Sequence, residues 1–231
     1  MPFLVDVFLS LALLNLKKTF KKDYLITVLS WSHVSELMEM KVIGIVGSPR
    51  KGGNTETLTR IALEEIEKEG VDTELIRLAE KDIQPCDGCR SCKQTGKCRI
   101  QDDFPKIHAE MLKADGILLA TPVYFGSASP QIKALIDRSG YSSPRDAAGR
   151  RPFENKVGGP IVVARRAVQN FTYAQLMFFF MITGMIVPGS LYWNVAIGRE
   201  KGDVTKDEEG IRIIRYFGQK VAWLVKKLAT T

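Results

Sequence analysis

The sequence predicts an α/β domain built on a five-stranded parallel sheet in the order 2-1-3-4-5, with helices on both faces and a cysteine-rich loop after the second strand. Three observations lead there. From residue 41 onward, short apolar runs rich in β-branched residues alternate with stretches of helical periodicity, the pattern of strands covered on both faces by crossover helices. The first and third of these runs end in loops rich in Gly, Ser, Thr and Pro, at the strand ends where open parallel sheets hold ligands. All four cysteines fall within the thirteen residues 86–98, and none occurs elsewhere.

The 231 residues, 45% of them apolar, suffice for one sizeable core but not for two full domains. Residues 1–39 read as an N-terminal extension, and residues 40–231 as the domain that contains the 86–98 loop. The extension opens with an apolar stretch over 2–16 that is short for a membrane span, carries Asp6, and is followed by Lys17, Lys18, Lys21 and Lys22. A secretory signal would place its positive charge first. Two expectations stand for this segment: a translation-start artefact, since Met38 and Met40 directly precede the first strand, or an amphipathic helix docked loosely on the domain.

The first strand is expected at 41–47, its run Val42-Ile43-Gly44-Ile45-Val46 stopping at a glycine-rich loop over 47–53. Asn54-Thr55 is expected to cap a helix whose Leu58, Ile61, Ala62 and Ile66 recur at helical spacing up to Gly70. The second strand is placed at 73–78, before the cysteine loop. Asp102 or Asp103 opens a helix carrying Ile107, Met111 and Leu112, which leads to a third strand at 116–120 and the loop 121–127. Ser129-Pro130 starts the next helix, with Pro in its first turn and Ile132, Leu135 and Ile136 on one face. Residues 141–155, rich in Ser, Arg, Gly and Pro, form a long connection. A fourth strand is expected at 157–164, an apolar helix at 171–183, a short fifth strand at 185–187 and a closing helix at 208–228. Within the apolar helix, Met177-Phe178-Phe179-Phe180-Met181 is expected to pack in the core, with an oligomer face as the alternative. His108, inside a helix beside Ile107, is expected to be packed or solvated, not catalytic.

Net charge is +7 and the sequence pI is near 9.2. Lys and Arg are interleaved with Asp and Glu, without a basic stripe or alternating aromatics, so a solvated surface with some attraction for anionic cofactors is expected, and nucleic acid is not. With no cysteine outside 86–98 there is no disulfide framework, which fits a cytoplasmic location. Membrane association is not expected.

Cys86, Cys89, Cys92 and Cys98 have the spacing C-x2-C-x2-C-x5-C, with Gly88 and Gly96 allowing tight backbone turns between them. Thiolates this dense can converge on one small inorganic core. Zinc usually draws on two separated pairs, and structural disulfides on cysteines scattered through a fold. The spacing resembles the opening of bacterial ferredoxin motifs, whose thiolates wrap an iron-sulfur cluster. Zinc and redox-active thiols remain the alternatives.

The loop Gly47-Ser48-Pro49-Arg50-Lys51-Gly52-Gly53-Asn54-Thr55 has Gly53-Asn54 where a nucleoside-triphosphate loop requires Lys-Ser/Thr, and it lacks G-x-G-x-x-G. A hydroxyl- and amide-rich loop at a helix N-terminus remains. Its backbone N–H groups, with Ser48, Arg50, Asn54, Thr55 and Thr57, can bind a monophosphate dianion, or the segment is only a tight strand-to-helix turn. In the second loop, Pro122, Val123, Tyr124, Phe125, Gly126 and Ser127 can border a flat ring system and hydrogen-bond its polar edge; Tyr124 and Phe125 are alternatively packing residues.

With Gly47-Ser-Pro-Arg, Gly53-Asn-Thr, the compact cysteine set and Thr121-Pro-Val-Tyr-Phe-Gly-Ser127 together, the chain from about Met40 resembles the iron-sulfur flavoproteins, a branch of the NAD(P)H-dependent FMN reductase-like group with the flavodoxin-like fold. The resemblance implies FMN, with its phosphate on Ser48, Arg50, Asn54, Thr55 and Thr57 and its ring system along Pro122, Val123, Tyr124, Phe125, Gly126 and Ser127. It implies a 4Fe-4S cluster on Cys86, Cys89, Cys92 and Cys98, and a homodimer or homotetramer. The sequence departs from the simpler reductases at Ala164-Arg165-Arg166, where these often have a glycine-rich turn. The expected activity is a flavin-dependent oxidoreductase that passes electrons between a one-electron carrier such as ferredoxin and a two-electron acceptor, with no side chain required as acid or base. Two alternatives stand beside it: an NAD(P)H-dependent FMN or quinone reductase without a cluster, and a non-catalytic zinc or cluster sensor.

Overall fold

The computed structural model describes residues 40–143, 145 and 147–230. Five parallel strands form one sheet in the expected order, β2-β1-β3-β4-β5. They are β1 (Lys41–Val46), β2 (Asp72–Arg77), β3 (Gly116–Pro122), β4 (Val157–Ala164) and β5 (Val195–Ile197). β1, β3 and β4 lie inside the sheet and are buried almost throughout, which is why their sequences are unbroken apolar runs. β2, Asp-Thr-Glu-Leu-Ile-Arg, lies at the edge and is only partly covered.

α1 (Asn54–Lys68) and α6 (Glu208–Ala229) cover one face, joining Leu58, Ala62 and Ile66 to Ile214, Phe217 and Val221 in one core. On the other face, α3 (Phe104–Lys113), α4 (Pro130–Ser142) and α5 (Gln169–Thr183) bury Phe104, Met111, Ile132, Leu135, Phe179 and Phe180. The short α2 (Ser91–Thr95) lies within the cysteine loop. Two adjacent glycines on β4 let rings approach from both sides. A Cβ at Gly158 would stand 2.5 Å from Phe180 Cδ1, and one at Gly159 2.3 Å from Phe217 Cζ. Successive strand residues point to opposite faces, so each glycine admits one ring.

Two expectations change. The fifth strand is not at 185–187: Ile186 makes only an isolated bridge to Val157, and Pro188, without an N–H, follows soon after. The chain then runs along β4 to Asn194, whose carbonyl accepts from Val162 N at 3.0 Å and whose amide donates to Pro160 O at 3.2 Å, and β5 pairs beside Val162, Val163 and Ala164. Asn54 does not cap α1, since Gly53 occupies the N-cap position and no side chain caps it. As expected, the acidic pair opens α3: Asp103 is the N-cap and Asp102 Oδ1 accepts from Phe104 N at 3.0 Å, while Asp102 also forms a buried ion pair with Arg138. Ser129 does cap α4, followed by Pro130. In α5, Phe179 and Phe180 are core residues, whereas Phe178, Met181 and Ile182 face outward. Among the described residues no helix is long and apolar enough to cross a membrane. Both expectations for 1–39 lie outside the described residues.

His108 is buried, stacked on Phe104 and edge-on to Phe153, with Nε2 2.8 Å from Ser143 Oγ. Burial pushes its pKa down from 6.5 to about 4. The unfolded chain therefore binds this proton first as the pH falls. The stability that neutral His108 contributes is complete above pH 6.5 and is lost through the window from 6.5 to about 4, amounting to on the order of 3 kcal/mol. Urea unfolding at pH 7 and pH 4.5 should show a smaller loss for His108→Gln than for the wild type; equal losses would remove His108 as the cause.

Candidate functional site

Four of the five strands end at one cavity of about 340 Å³ at the C-terminal edge of the sheet. Ser48, Arg50, Asn54 and Thr55 follow β1, Pro122, Val123 and Tyr124 come from the end of β3, Ala164 and Arg165 from the end of β4, and Gly198, Arg199 and Glu200 follow β5. The strand order switches between β1 and β3, so the loops leaving these two neighbours part to opposite faces and open a crevice between them.

The loop after β1 is built around backbone donors. Gly53 offers no capping side chain, which leaves the first-turn N–H groups of α1 open toward an anion. Arg50 N donates to Ser48 Oγ at 3.2 Å, which tightens the turn and leaves the Ser48 hydroxyl hydrogen available. Gly52, at φ +61°, directs its N–H to Glu56 Oε2 at 2.8 Å. Burial pushes the Glu56 carboxyl up, but the Gly52 N–H and the guanidinium groups of Arg60 and Arg77 outweigh it and hold the group below the usual carboxylate range. Glu56 thereby holds the loop's shape and removes Gly52 N–H from the anion-binding set.

The predicted phosphate residues divide in two. Ser48, Arg50 and Thr55 line the cavity, and Ser48 and Thr55 are buried. Asn54 also lines it, but its amide bridges elsewhere: Nδ2 donates to Glu200 O at 2.8 Å, and Oδ1 accepts from Gly202 N at 2.9 Å. Thr57 is outside the lining residues and donates its hydroxyl back to Gly53 O at 3.2 Å. Sequence reasoning missed Gly198, Arg199 and Lys201, because the fifth strand was expected ten residues earlier. A Cβ at Gly52 would be 3.2 Å from Lys201 Nζ, which brings that ammonium over the loop. A Cβ at Gly198 would lie 2.5 Å from Asn54 Nδ2, so glycine is required for the two loops to meet.

The loop after β3 is a tight turn. Tyr124 N donates to Ser127 O at 2.8 Å and Ser127 N to Tyr124 O at 3.0 Å, with Phe125 and Gly126 both at positive φ, the geometry of a two-residue hairpin. Val123 N is spent on Val163 O at 2.9 Å. Of the backbone amides over 124–127, those of Phe125 and Gly126 are left for a ligand, and the Phe125 ring is fully exposed. Gln175 Oε1 accepts from both Ser127 Oγ and Ala128 N at 2.9 Å and pins the turn to α5.

The four cysteines line a second cavity, of about 330 Å³, together with Arg90, Arg99, Arg138 and Tyr141. All four thiols are free, Cys86 and Cys89 exposed and Cys92 and Cys98 half-buried. Gly88, Arg90 and Gly96 all take left-handed backbone conformations, one between each two successive cysteines, so the chain turns before each next thiol and all four line the same cavity. For Arg90, without glycine's freedom, that conformation costs about 1–2 kcal/mol. Among the described residues, no three Cys, His, Asp or Glu side chains stand close enough to hold a metal ion. In kind, the donor set is all sulfur with cationic neighbours, which matches a negatively charged iron-sulfur centre better than it matches a hard cation. The two cavities share no lining residue.

Comparisons with known proteins agree with this layout. A solved structure of RosB with bound 8-demethyl-8-formylriboflavin-5'-phosphate superposes at a TM-score of 0.69 with 19% identity, covering 83% of this chain and 81% of that one, and an archaeal flavodoxin at 0.54 with 15% identity, covering 81% and 99%. These show a shared fold. In sequence, an iron-sulfur flavoprotein of Methanocaldococcus jannaschii is 45% identical over 194 residues, 81% of this chain and 98% of its own length. One from Archaeoglobus fulgidus is 34% identical over 195 residues, with coverage of 81% and 98%. The model of the NADPH-dependent FMN reductase family matches residues 40–200. The chain therefore belongs to the NADPH-dependent FMN reductase family, on its iron-sulfur flavoprotein branch.

Proposed function

We propose that the protein is a cytoplasmic, homo-oligomeric oxidoreductase that holds FMN at the sheet edge and a 4Fe-4S cluster in the cysteine loop, and passes electrons between a one-electron carrier such as ferredoxin and a two-electron acceptor. The observation that carries this reading is the presence, in one domain, of two separate cavities of complementary chemistry, one with open backbone donors and arginines, the other lined by four free thiols. FMN supplies hydride or single-electron chemistry and the cluster supplies single-electron chemistry.

The chain's own part is binding and placement. The first-turn N–H groups of α1, the Ser48 hydroxyl, Thr55 and Arg50 receive the phosphate dianion, and the size of the cavity is within the range of small-molecule sites. Asn54 acts at one remove, fixing the 198–204 loop against α1, and Thr57 stabilises the first turn. The Phe125 and Gly126 amides are the donors for the polar edge of the ring, with Pro122, Val123, Tyr124 and Ser127 forming its border. The outward-facing Phe178, Met181 and Ile182 of α5 favour a homo-oligomer.

A second reading, an NAD(P)H-dependent reductase without a cluster, is favoured by one observation: the thiols share a cavity without gathering to metal-binding distance. A Bacillus subtilis protein named as an NAD(P)H-dependent FMN-containing oxidoreductase is 30% identical over 182 residues, 74% of this chain and 93% of its own length. Anaerobic purification with iron, sulfide, zinc and flavin analysis separates the readings. Iron and sulfide in equal amounts together with FMN are expected. Zinc without sulfide, or FMN alone with rapid bleaching by NAD(P)H, would overturn the cluster.

A further inference from the structure

Arg138, on α4, is nearly fully buried at the wall of the cysteine cavity. Its guanidinium is bound on all sides but one. Nη1 donates to Gln84 O at 3.0 Å and to Asp102 Oδ2, while Nη2 donates to Asp102 Oδ1 at 3.0 Å and to Cys98 Sγ at 3.3 Å. The plane lies over the Phe104 ring, 4.1 Å from its centroid. Nε–H is buried without a partner among the described residues.

Stability alone is a poor reason for this arrangement. A buried Arg–carboxylate pair gains little over apolar residues of the same volume, and an unpaired N–H adds a desolvation cost. The arrangement is suited to sulfur. One fork of the guanidinium is neutralised by Asp102, itself fully buried and held by Gln84 N at 2.9 Å and Phe104 N at 3.0 Å. What lines the cavity is a fixed cation with one N–H on Cys98. Cys98 is also the cysteine packed against the apolar core, which limits the access of water to its sulfur.

We infer that Arg138 is the positioning residue of the cysteine site: it anchors Cys98 and raises the reduction potential of the cluster by holding its positive charge and one hydrogen bond on the Cys98 sulfur, with Asp102 limiting the size of that effect. The inference rests on the cluster reading above. Hydrogen bonds and positive charge near cluster sulfurs stabilise the reduced, more negative state. Removing the cation must then lower the potential, and removing its counter-charge must raise it.

The test is an EPR-monitored redox titration of the purified holoprotein and of Arg138→Lys, Arg138→Gln and Asp102→Asn, with iron, sulfide and FMN content and thermal melting measured for each. Arg138→Gln and Asp102→Asn break the buried ion pair and Arg138→Lys loses its bidentate geometry, so all three should melt lower. A midpoint shifted negative in Arg138→Gln, shifted less in Arg138→Lys, and shifted positive in Asp102→Asn is the expected result. A structural brace would not move the potential in opposite directions. Equal midpoints, shifts of one sign in all variants, or loss of the cluster from all three would overturn the assignment. Wild-type protein without iron and sulfide would overturn the cluster reading itself, an outcome read before any variant is made.

Discussion

Replacing Cys92 with alanine is expected to remove nearly all iron and sulfide from the protein and to leave its FMN content unchanged. Cys92 sits in the first turn of α2, half-buried, between the left-handed Arg90 and the left-handed Gly96 whose N–H returns to Cys92 O at 2.9 Å. That double reversal presents its thiol to the cavity it shares with Cys86, Cys89 and Cys98. Alanine keeps the backbone turn and removes the ligand. The cavity proposed for FMN shares no residue with this one, so the effects of the change should stay local. A half-buried thiol in a short helix contributes little packing, and a stability change within about 1 kcal/mol is expected for the metal-free protein. Metal analysis and the flavin spectrum decide it: retained iron would remove Cys92 as a ligand, and coordinated loss of FMN would show that the two sites are coupled.

Much of this layout is legible in the chain itself. β1, β3 and β4 are apolar runs because both faces of each are covered, and the loops behind the first and third border the cavity at the sheet edge. The rest depends on contacts that local sequence does not encode. Val195-Ala196-Ile197 is only three residues long, and Met185-Ile186-Val187 is as apolar and as short; Asn194 and the β4 register decide between them. Asn54 looks like a cap, yet its partners are Glu200, Gly202 and Val204, across the crevice. Asp102 does accept from Phe104 N at the start of α3, but its second partner, Arg138, lies 36 residues on. One signal was available: Arg138 lies three residues after Leu135 and beside Ser139, a charge set into the apolar face of α4, and such a charge must find a partner when the face is buried.

α4 also links the two cavities, and its N-terminal end is the more sensitive one. Ser129 Oγ donates to Gly47 O at 2.8 Å, and Ser129 N donates to Thr121 Oγ1 at 2.9 Å, so one buried residue ties the loop after β1 to the loop after β3. Gly47 permits that approach. A Cβ there would stand 2.2 Å from Ile132 Cγ1 and 2.7 Å from Ser129 Oγ, and neither neighbour can yield, since both are fully buried. Gly47→Ala must therefore push α4 away from β1. Overpacking costs about 1–3 kcal/mol, and a stretched Ser129 bond to a buried carbonyl adds about 1–3 kcal/mol. Part of that distortion falls on the sheet-edge cavity proposed for FMN, so FMN affinity should drop on the order of tenfold or more, each tenfold corresponding to about 1.4 kcal/mol. Gly140→Ala on the same helix is the control: a Cβ there meets nothing within 4 Å and its backbone is helical, so that variant should gain about 0.5–1 kcal/mol with FMN binding intact. Flavin titration and urea unfolding of the two variants measure both effects. Wild-type FMN affinity in Gly47→Ala would mean that the contact between β1 and α4 does not hold the proposed FMN cavity in shape.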